Sequence, residues 1–269
     1  MGIIQRSRKH AYISSDLGFS KPTFRFYRSQ RSLLQLLVMA LTLSLTTLSS
    51  ANTLFTAEYE GKYSGMTIKS SRTLTEEPSG QYRLHSIIKN TFASIEENSV
   101  FTLNGTAIIP SHYHYKRKIM GFKADESIAF DWDSQLAKYR RKNKKEKDRD
   151  HKIFTGVLDP ALYQLQLQRD LFSNNTELSY SFVKPSKIKT LNFKKTGKET
   201  LKVGNENYPA IKLERINLDD NKKTRIWLIP DLNYQIGRIE HIEENGDSYS
   251  IYLTKYSSSP SLKAKIYVK

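Results

Sequence analysis

Two carboxylates flank an aromatic ring in Asp131-Trp132-Asp133, and two histidines, His112 and His114, lie upstream in "SHYHYK". A carboxylate pair is the minimal machinery of glycoside hydrolysis. An aspartate beside a histidine can activate water for hydrolysis of other bonds. His112 and His114 are spaced to share one face of a strand, as two ligands of a metal would. The sequence offers no third ligand nearby, so no metal is expected.

Other catalytic signatures fail on inspection. "GKYSG" (residues 61–65) has Ser64 one position too late for a nucleophile elbow. "TGKET" has Asn192 where a phosphate loop needs its first glycine. "SIIK" (residues 86–89) and "KTG" (residues 195–197) match two boxes of penicillin-binding enzymes. That chemistry needs Ser and Lys one helical turn apart, whereas "QYRLHSIIK" alternates like a strand and sends residues three apart to opposite faces. A non-catalytic protein without cofactor is the better expectation. A hydrolase using Asp131 or Asp133 with a histidine is the alternative.

Binding residues are easier to nominate. Trp132 and Trp227 sit in strand-like segments beside apolar neighbours, where packing and ligand stacking compete. With Arg238 they form the candidate ligand contacts. The densest charge lies at residues 138–152, "KYRRKNKKEKDRDHK", with nine lysines and arginines against three acids. It carries no apolar stripe, which fits a solvated hairpin and loop. Arg140, Arg141, Lys142, Lys144 and Lys145 are the candidate anion contacts, for lipid phosphates, lipopolysaccharide or another envelope component. Only Tyr139 accompanies the run, too little for base stacking, so nucleic acid is not an expected partner.

The elements that must position these residues are strands. Segments such as "FTAEYEGKYSG", "MTIKSSRTL", "QYRLHSIIK", "SVFTLNGTAIIP" and "SHYHYKRKI" alternate with period two, and the pattern resumes after residue 175. Alternation of this kind predicts antiparallel strands with one wet face. Asn245-Gly246 predicts a hairpin turn, since both residues accept positive φ. One stretch, "LDPALYQLQLQRDLF", predicts a helix from Asp159 to Phe172, with Asp159 as cap and Pro160 in the first turn. The expected fold is mainly β: one domain, a curved antiparallel sheet or half-open barrel with one short helix.

The 269 residues carry a formal net charge of +16 and no cysteine. Residues 33–48 are apolar and uncharged, preceded by Lys21, Arg25, Arg28 and Arg31 and followed by Ser49 and Ala51. This is the pattern of a cleaved secretory signal with a long basic n-region. Residues 1–51 are therefore expected to be removed, leaving residues 52–269 as the exported domain. Export without disulfides favours a bacterial periplasm.

Several short pieces share their order with one family: "YEG" and Gly65, "IIPSHYHYKR", "FDW", "GVLDPALYQLQLQRDL", "FKKTGKE", "TRIWLIPDLNY" and Arg238-Ile239-Glu240. Over residues 55–256 the chain resembles the exported bacterial domain-of-unknown-function family 3108. It departs at Ile236, where the family tends to have proline. The resemblance implies an exported, mainly antiparallel β protein and supplies no catalytic residue. A structural partner in an envelope complex is the remaining alternative.

Overall fold

A computed structural model describes residues 51–63, 66–216 and 221–267. The expected signal segment, apart from Ala51, lies outside the described residues, as do Ser64 and Gly65 of "GKYSG".

Fourteen strands form one antiparallel sheet. The first eight are β1 (Asn52–Tyr63), β2 (Met66–Glu76), β3 (Tyr82–Lys89), β4 (Ala93–Asn104), β5 (Ala107–Ile119), β6 (Phe122–Asp131), β7 (Leu136–Arg141) and β8 (Arg149–Lys152). The rest are β9 (Leu178–Val183), β10 (Ile188–Val203), β11 (Glu206–Ile216), β12 (Lys223–Ile229), β13 (Gln235–Ile242) and β14 (Ser248–Ser258). Consecutive strands pair except β8 and β9, and β1 pairs with β14, so the sheet runs from β8 through β1 and β14 to β9. The two free edges therefore fall in mid-sequence. Between them, Ile153 donates its N–H to Gln135 (2.9 Å), while Leu158 exchanges backbone hydrogen bonds with Ser181 and Val183 (2.9 and 3.1 Å). This bridging segment leaves a nearly closed barrel, the more closed form of the expected fold.

Three local findings refine the sequence-based strands. "SVFTLNGTAIIP" is two strands, parted at Gly105 (φ 56°), and β5 runs straight through Pro110. A bulge places Ser111 outside the register opposite Val100 and Phe101. Bulges accommodate proline because the ladder is already interrupted there. At the β13–β14 turn only Gly246 takes positive φ (89°). Asn245 instead caps the turn, its side-chain oxygen accepting the Asp247 N–H (3.1 Å). Ile236, the departure from the family pattern, pairs with Leu228 at a bulge beside Gly237. A Cβ on Gly237 would lie 2.7 Å from Ile229 Cδ1 and 2.8 Å from Leu201 Cδ1, so any larger residue at the bend must displace these core side-chain tips.

The helix α1 (Leu162–Phe172) begins two residues later than its cap pattern suggests. Asp159 Oδ1 accepts the N–H groups of Ala161 (2.8 Å) and Leu162 (2.9 Å), as an N-terminal cap should. Its sequence shows little amphipathic bias because it is buried on most sides: Leu162, Leu165, Leu167 and Leu171 are all in the core. Polar residues reach partners around the barrel wall. Gln164 accepts from Arg72 on β2 (2.9 Å), and Gln168 donates to Gln235 on β13 (3.4 Å). Tyr163 stacks on Phe182 of β9. Contacts to such distant strands place α1 inside the lumen as a plug. A second helix, α2 (Leu262–Ile266), was not evident from sequence. It covers the same end, and Arg169 ties it to α1 by donating to the Ile266 carbonyl and to Gly105 (2.8 Å).

Candidate functional site

The plug fills one half of the lumen. In the other half, four strands present a polar inner face in strict register. Ser99, Tyr113, Ile128 and Tyr139 form one row across β4 to β7, and Glu97, Tyr115, Glu126 and Arg141 form the next. Neighbouring strands lie about 4.8 Å apart, so each row is a continuous strip of side chains. These rows line a cavity of about 350 Å³, with Pro160 at the start of the plug and Val183, Lys184 and Pro185 across from them. A volume of this order suits a small ligand.

The charges in the cavity are unequally committed. Glu97 accepts a hydrogen bond from Tyr113 Oη (2.5 Å), and Glu126 pairs with Arg141 (3.4 Å). Arg117, one row nearer the mouth and beside the Tyr115 phenol, and Lys184, whose ammonium sits 5.5 Å from the Phe182 ring, are both exposed at the cavity rim and form no ion pair among the described residues. The uncommitted charge is therefore positive. The phenols stay neutral: burial and the Glu126 carboxylate push Tyr139 up to about 12, and burial followed by the Glu97 charge raises Tyr113 further. The Tyr139 hydroxyl is buried beside Glu126 and Arg141, which both act on it, but forms no hydrogen bond of good geometry. Asp159, behind the helix cap, is wholly buried, and desolvation raises it to about 7 against the pull of its two backbone hydrogen bonds.

The nominated catalytic residues do not converge. β6 ends at Asp131, and Asp133 falls in the following turn rather than on the strand. Asp131 accepts the Ser134 N–H (3.1 Å) and pairs with Lys138 (3.1 Å). Its hydrogen bonds to Ser134, above all, lower it to about 2. His114 pairs with Asp125 (2.7 Å) on the next strand. None of Asp131, Asp133, His112 and His114 lines the cavity.

The nominated binding residues divide. Trp132 stacks on Phe130 and donates its indole N–H to the Pro110 carbonyl (2.7 Å), holding the bulged strand. Trp227 and Arg238 do meet, but away from the lumen rows. The guanidinium lies 4.4 Å from the Trp227 ring and 5.0 Å from the Tyr252 ring, with Glu240 as its close ion-pair partner. Both faces of Arg238 are occupied, leaving it no stacking surface for a ligand. In the basic run, Arg140 pairs with Asp150 (2.6 Å), Arg141 with Glu126 and Lys142 with Asp125 (4.0 Å). Lys144 and Lys145 are exposed at the β7–β8 turn.

Glu97, Tyr115, Arg117, Glu126 and Lys184 were not anticipated from sequence. The available signal was the charge at alternate positions of β4 and β6, where an apolar core strand would repeat Ile or Val. A second depression, about 840 Å³, follows the β1–β14 seam. Its charges, Glu60, Lys62 and Asp247, are exposed and do not converge.

An up-and-down antiparallel sheet closed around an internal helix defines a β-barrel-like protein. The family described as "Protein of unknown function (DUF3108)" matches residues 58–254, and the chain belongs to that family. Among solved structures it is similar to the beta-barrel-like protein of domain of unknown function DUF1849 from Brucella abortus, with 8% identity and a TM-score of 0.51. That match covers 78% of this chain and 100% of the other, and at such identity it speaks for the fold alone. Weaker similarity extends to MucB in complex with MucA(peri), at 12% identity and TM-score 0.31, covering 79% of this chain and 53% of that one. The Pseudomonas aeruginosa MucA/MucB complex gives 11%, 0.31, 79% and 55% in the same order. The chain thus spans about half the length of those two. No curated protein matches it.

Proposed function

We propose that this protein is an exported, non-catalytic periplasmic binding module whose lumen holds an amphipathic molecule of the envelope through an anionic group. The observation that carries the proposal is the cavity itself. Its aromatic and aliphatic walls are joined to two exposed cations outside any ion pair, Arg117 and Lys184, and to a buried phenol, Tyr139, that lacks a hydrogen bond of good geometry. A buried hydroxyl without a partner costs stability unless something in the cavity answers it. Apolar walls favour a hydrocarbon or ring, and the net positive mouth favours a carboxylate, sulfonate or phosphate. Export rests on the signal-like pattern of residues 1–51.

Fractionation of the source cells tests the compartment: a form beginning near Asn52 belongs in the periplasm, and a full-length cytosolic protein overturns that half. Native mass spectrometry of the exported protein tests the other half. A retained amphipathic anion that is released on denaturation supports the proposal. A protein that emerges empty and binds no amphipathic anion contradicts it.

A further inference from the structure

The end of the barrel opposite α2 carries the most exposed large apolar side chains of the described residues. Phe122 is 79% exposed, Met120 77% and Phe92 61%. They belong to two adjoining hairpin tips, β3–β4 and β5–β6, joined where Met120 donates its N–H to the Phe92 carbonyl (3.0 Å). Local turn chemistry does not account for them. The β5–β6 turn is Met120-Gly121 with φ of 46° and 87°. Such a two-residue turn favours Asn, Asp or Gly at its first position, and a methionine there gains neither a hydrogen bond nor a buried contact.

The charges beside these tips are equally costly to the isolated protein. Lys118 stands directly opposite Lys123, and Ser94 connects Lys118 to Lys89 in the same row. Like charges facing each other across a strand pair are destabilising. None of the three lysines is in an ion pair among the described residues, whereas Arg140, Arg141 and Lys142 of the basic run all have acidic partners.

We infer that the β3–β4 and β5–β6 tips dock on an anionic lipid surface. Phe92, Met120 and Phe122 enter the boundary between headgroups and acyl chains, while Lys89, Lys118 and Lys123 meet the headgroup charge. An external field of negative charge relieves the repulsion within the lysine row, and a shallow apolar layer receives side chains that have no place in water. A protein partner fits less well, because two hairpin tips offer far less area than a stable interface of roughly 1,200 Å² or more. A nucleic acid would supply the charge but no apolar layer. The inference stands independently of whether the lumen holds a ligand. It also moves the expected lipid contact from the acid-paired run at residues 138–152 to this rim.

The test uses the form recovered from cells with vesicles of pure phosphatidylcholine and vesicles containing phosphatidylglycerol. Each basic residue at an anionic surface corresponds to about fivefold in partitioning. Lys118→Gln with Lys123→Gln should therefore weaken binding to the anionic vesicles about twenty-five-fold at low salt. Phe92→Ser with Met120→Ser and Phe122→Ser should weaken it at least about tenfold. Ile128→Trp, which fills the lumen cavity, should leave it unchanged. Because the chain has no cysteine, Met120→Cys bearing an environment-sensitive dye reports insertion locally, whatever residues 1–51 contribute. Its emission should shift to the blue with anionic vesicles only, while Ser79→Cys, on a turn at the other end, should not respond. Equal shifts at both positions, no shift at position 120, or binding indifferent to both sets of substitutions would overturn the inference. So would a concentration-dependent dimer abolished by the serine substitutions without any vesicle binding.

Discussion

The two ends of the barrel are built on opposite terms. At the end plugged by α1 and covered by α2, polar side chains are linked into hydrogen-bonded groups, with Arg72 Nε and Asp159 Oδ2 as buried exceptions. Arg169 donates to three carbonyls, Gly105, Thr106 and Ile266, and Tyr267, Gln168, Gln235 and Tyr59 form a continuous chain of side-chain hydrogen bonds. At the other end, a buried phenol lacks a hydrogen bond of good geometry, two cations outside any ion pair face a cavity, lysines oppose each other and apolar tips stand in water. The same strands run through both regions, so the contrast is not one of fold. Side chains at one end serve cohesion, and those at the other are tolerated at some expense in stability, as binding sites generally are.

Breaking the cohesive end should have the largest effect. Arg169→Ala strands the buried Ile266 carbonyl, removes the bonds to the exposed Gly105 and Thr106 carbonyls and unties the two helices, and a loss of about 3–5 kcal/mol is expected. For a domain of this size that corresponds to a fall in melting temperature of roughly 10 °C.

The boundary between the two regions, at Asp159, should give the next largest effect and one with a distinctive pH dependence. Its folded value is about 7 against an ordinary 3.8, so the native state binds the proton more tightly than the unfolded chain does. Stability from this group is therefore highest in acid and is lost as pH rises from about 4 to 7, by on the order of 4 kcal/mol in full. Asp159→Asn keeps an oxygen for the Ala161 and Leu162 N–H groups without the buried charge. Melting curves should show the variant stabler than the parent at pH 8, with the gap closing towards pH 4. An unchanged pH profile in the variant would mean that the dependence arises elsewhere.

At the exposed margin the expected effect on stability is smallest. Replacing Arg140, Arg141, Lys142, Lys144 and Lys145 by Gln removes surface pairs worth about 0–1 kcal/mol each, with the half-buried Arg141–Glu126 pair the main contributor. The melting temperature should move by only a few degrees. A collapse of the fold would show that the β7–β8 hairpin, rather than the bridging segment that follows it, closes the barrel.

Much of the cohesive end was legible in the sequence, and little of the open end was. Period-two alternation marks strands, and Asp159-Pro160 marks the start of α1, because both signals depend on near neighbours. α2 is only five residues long and follows a strand without a capping hydrogen bond, so no local pattern distinguishes it. The lumen rows are a harder case. Alternation shows that Glu97 and Ser99 share a face, but whether that face meets solvent or the lumen depends on closure between β1 and β14. The row Glu97–Tyr115–Glu126–Arg141 depends further on three registers, one downstream of the bulge at Ser111. Trp227 and Arg238 illustrate the converse. Their residue types suggested a ligand site, and the guanidinium and indole stack on each other, although Trp227 Nε1 and Arg238 Nε are buried without hydrogen-bond partners.

The central claim, that the unplugged half of the lumen is a binding cavity, is tested most directly by titrating an amphipathic anionic probe, dansyl-aminoundecanoic acid, into the parent protein and into Ile128→Trp. Ile128 is buried in the cavity wall, and the larger indole occupies the space that the probe needs. Saturable one-to-one binding to the parent, weakened at least about tenfold in a variant with unchanged circular dichroism, is the predicted result. Equal affinity for both proteins, or no saturable binding to the parent, would contradict it.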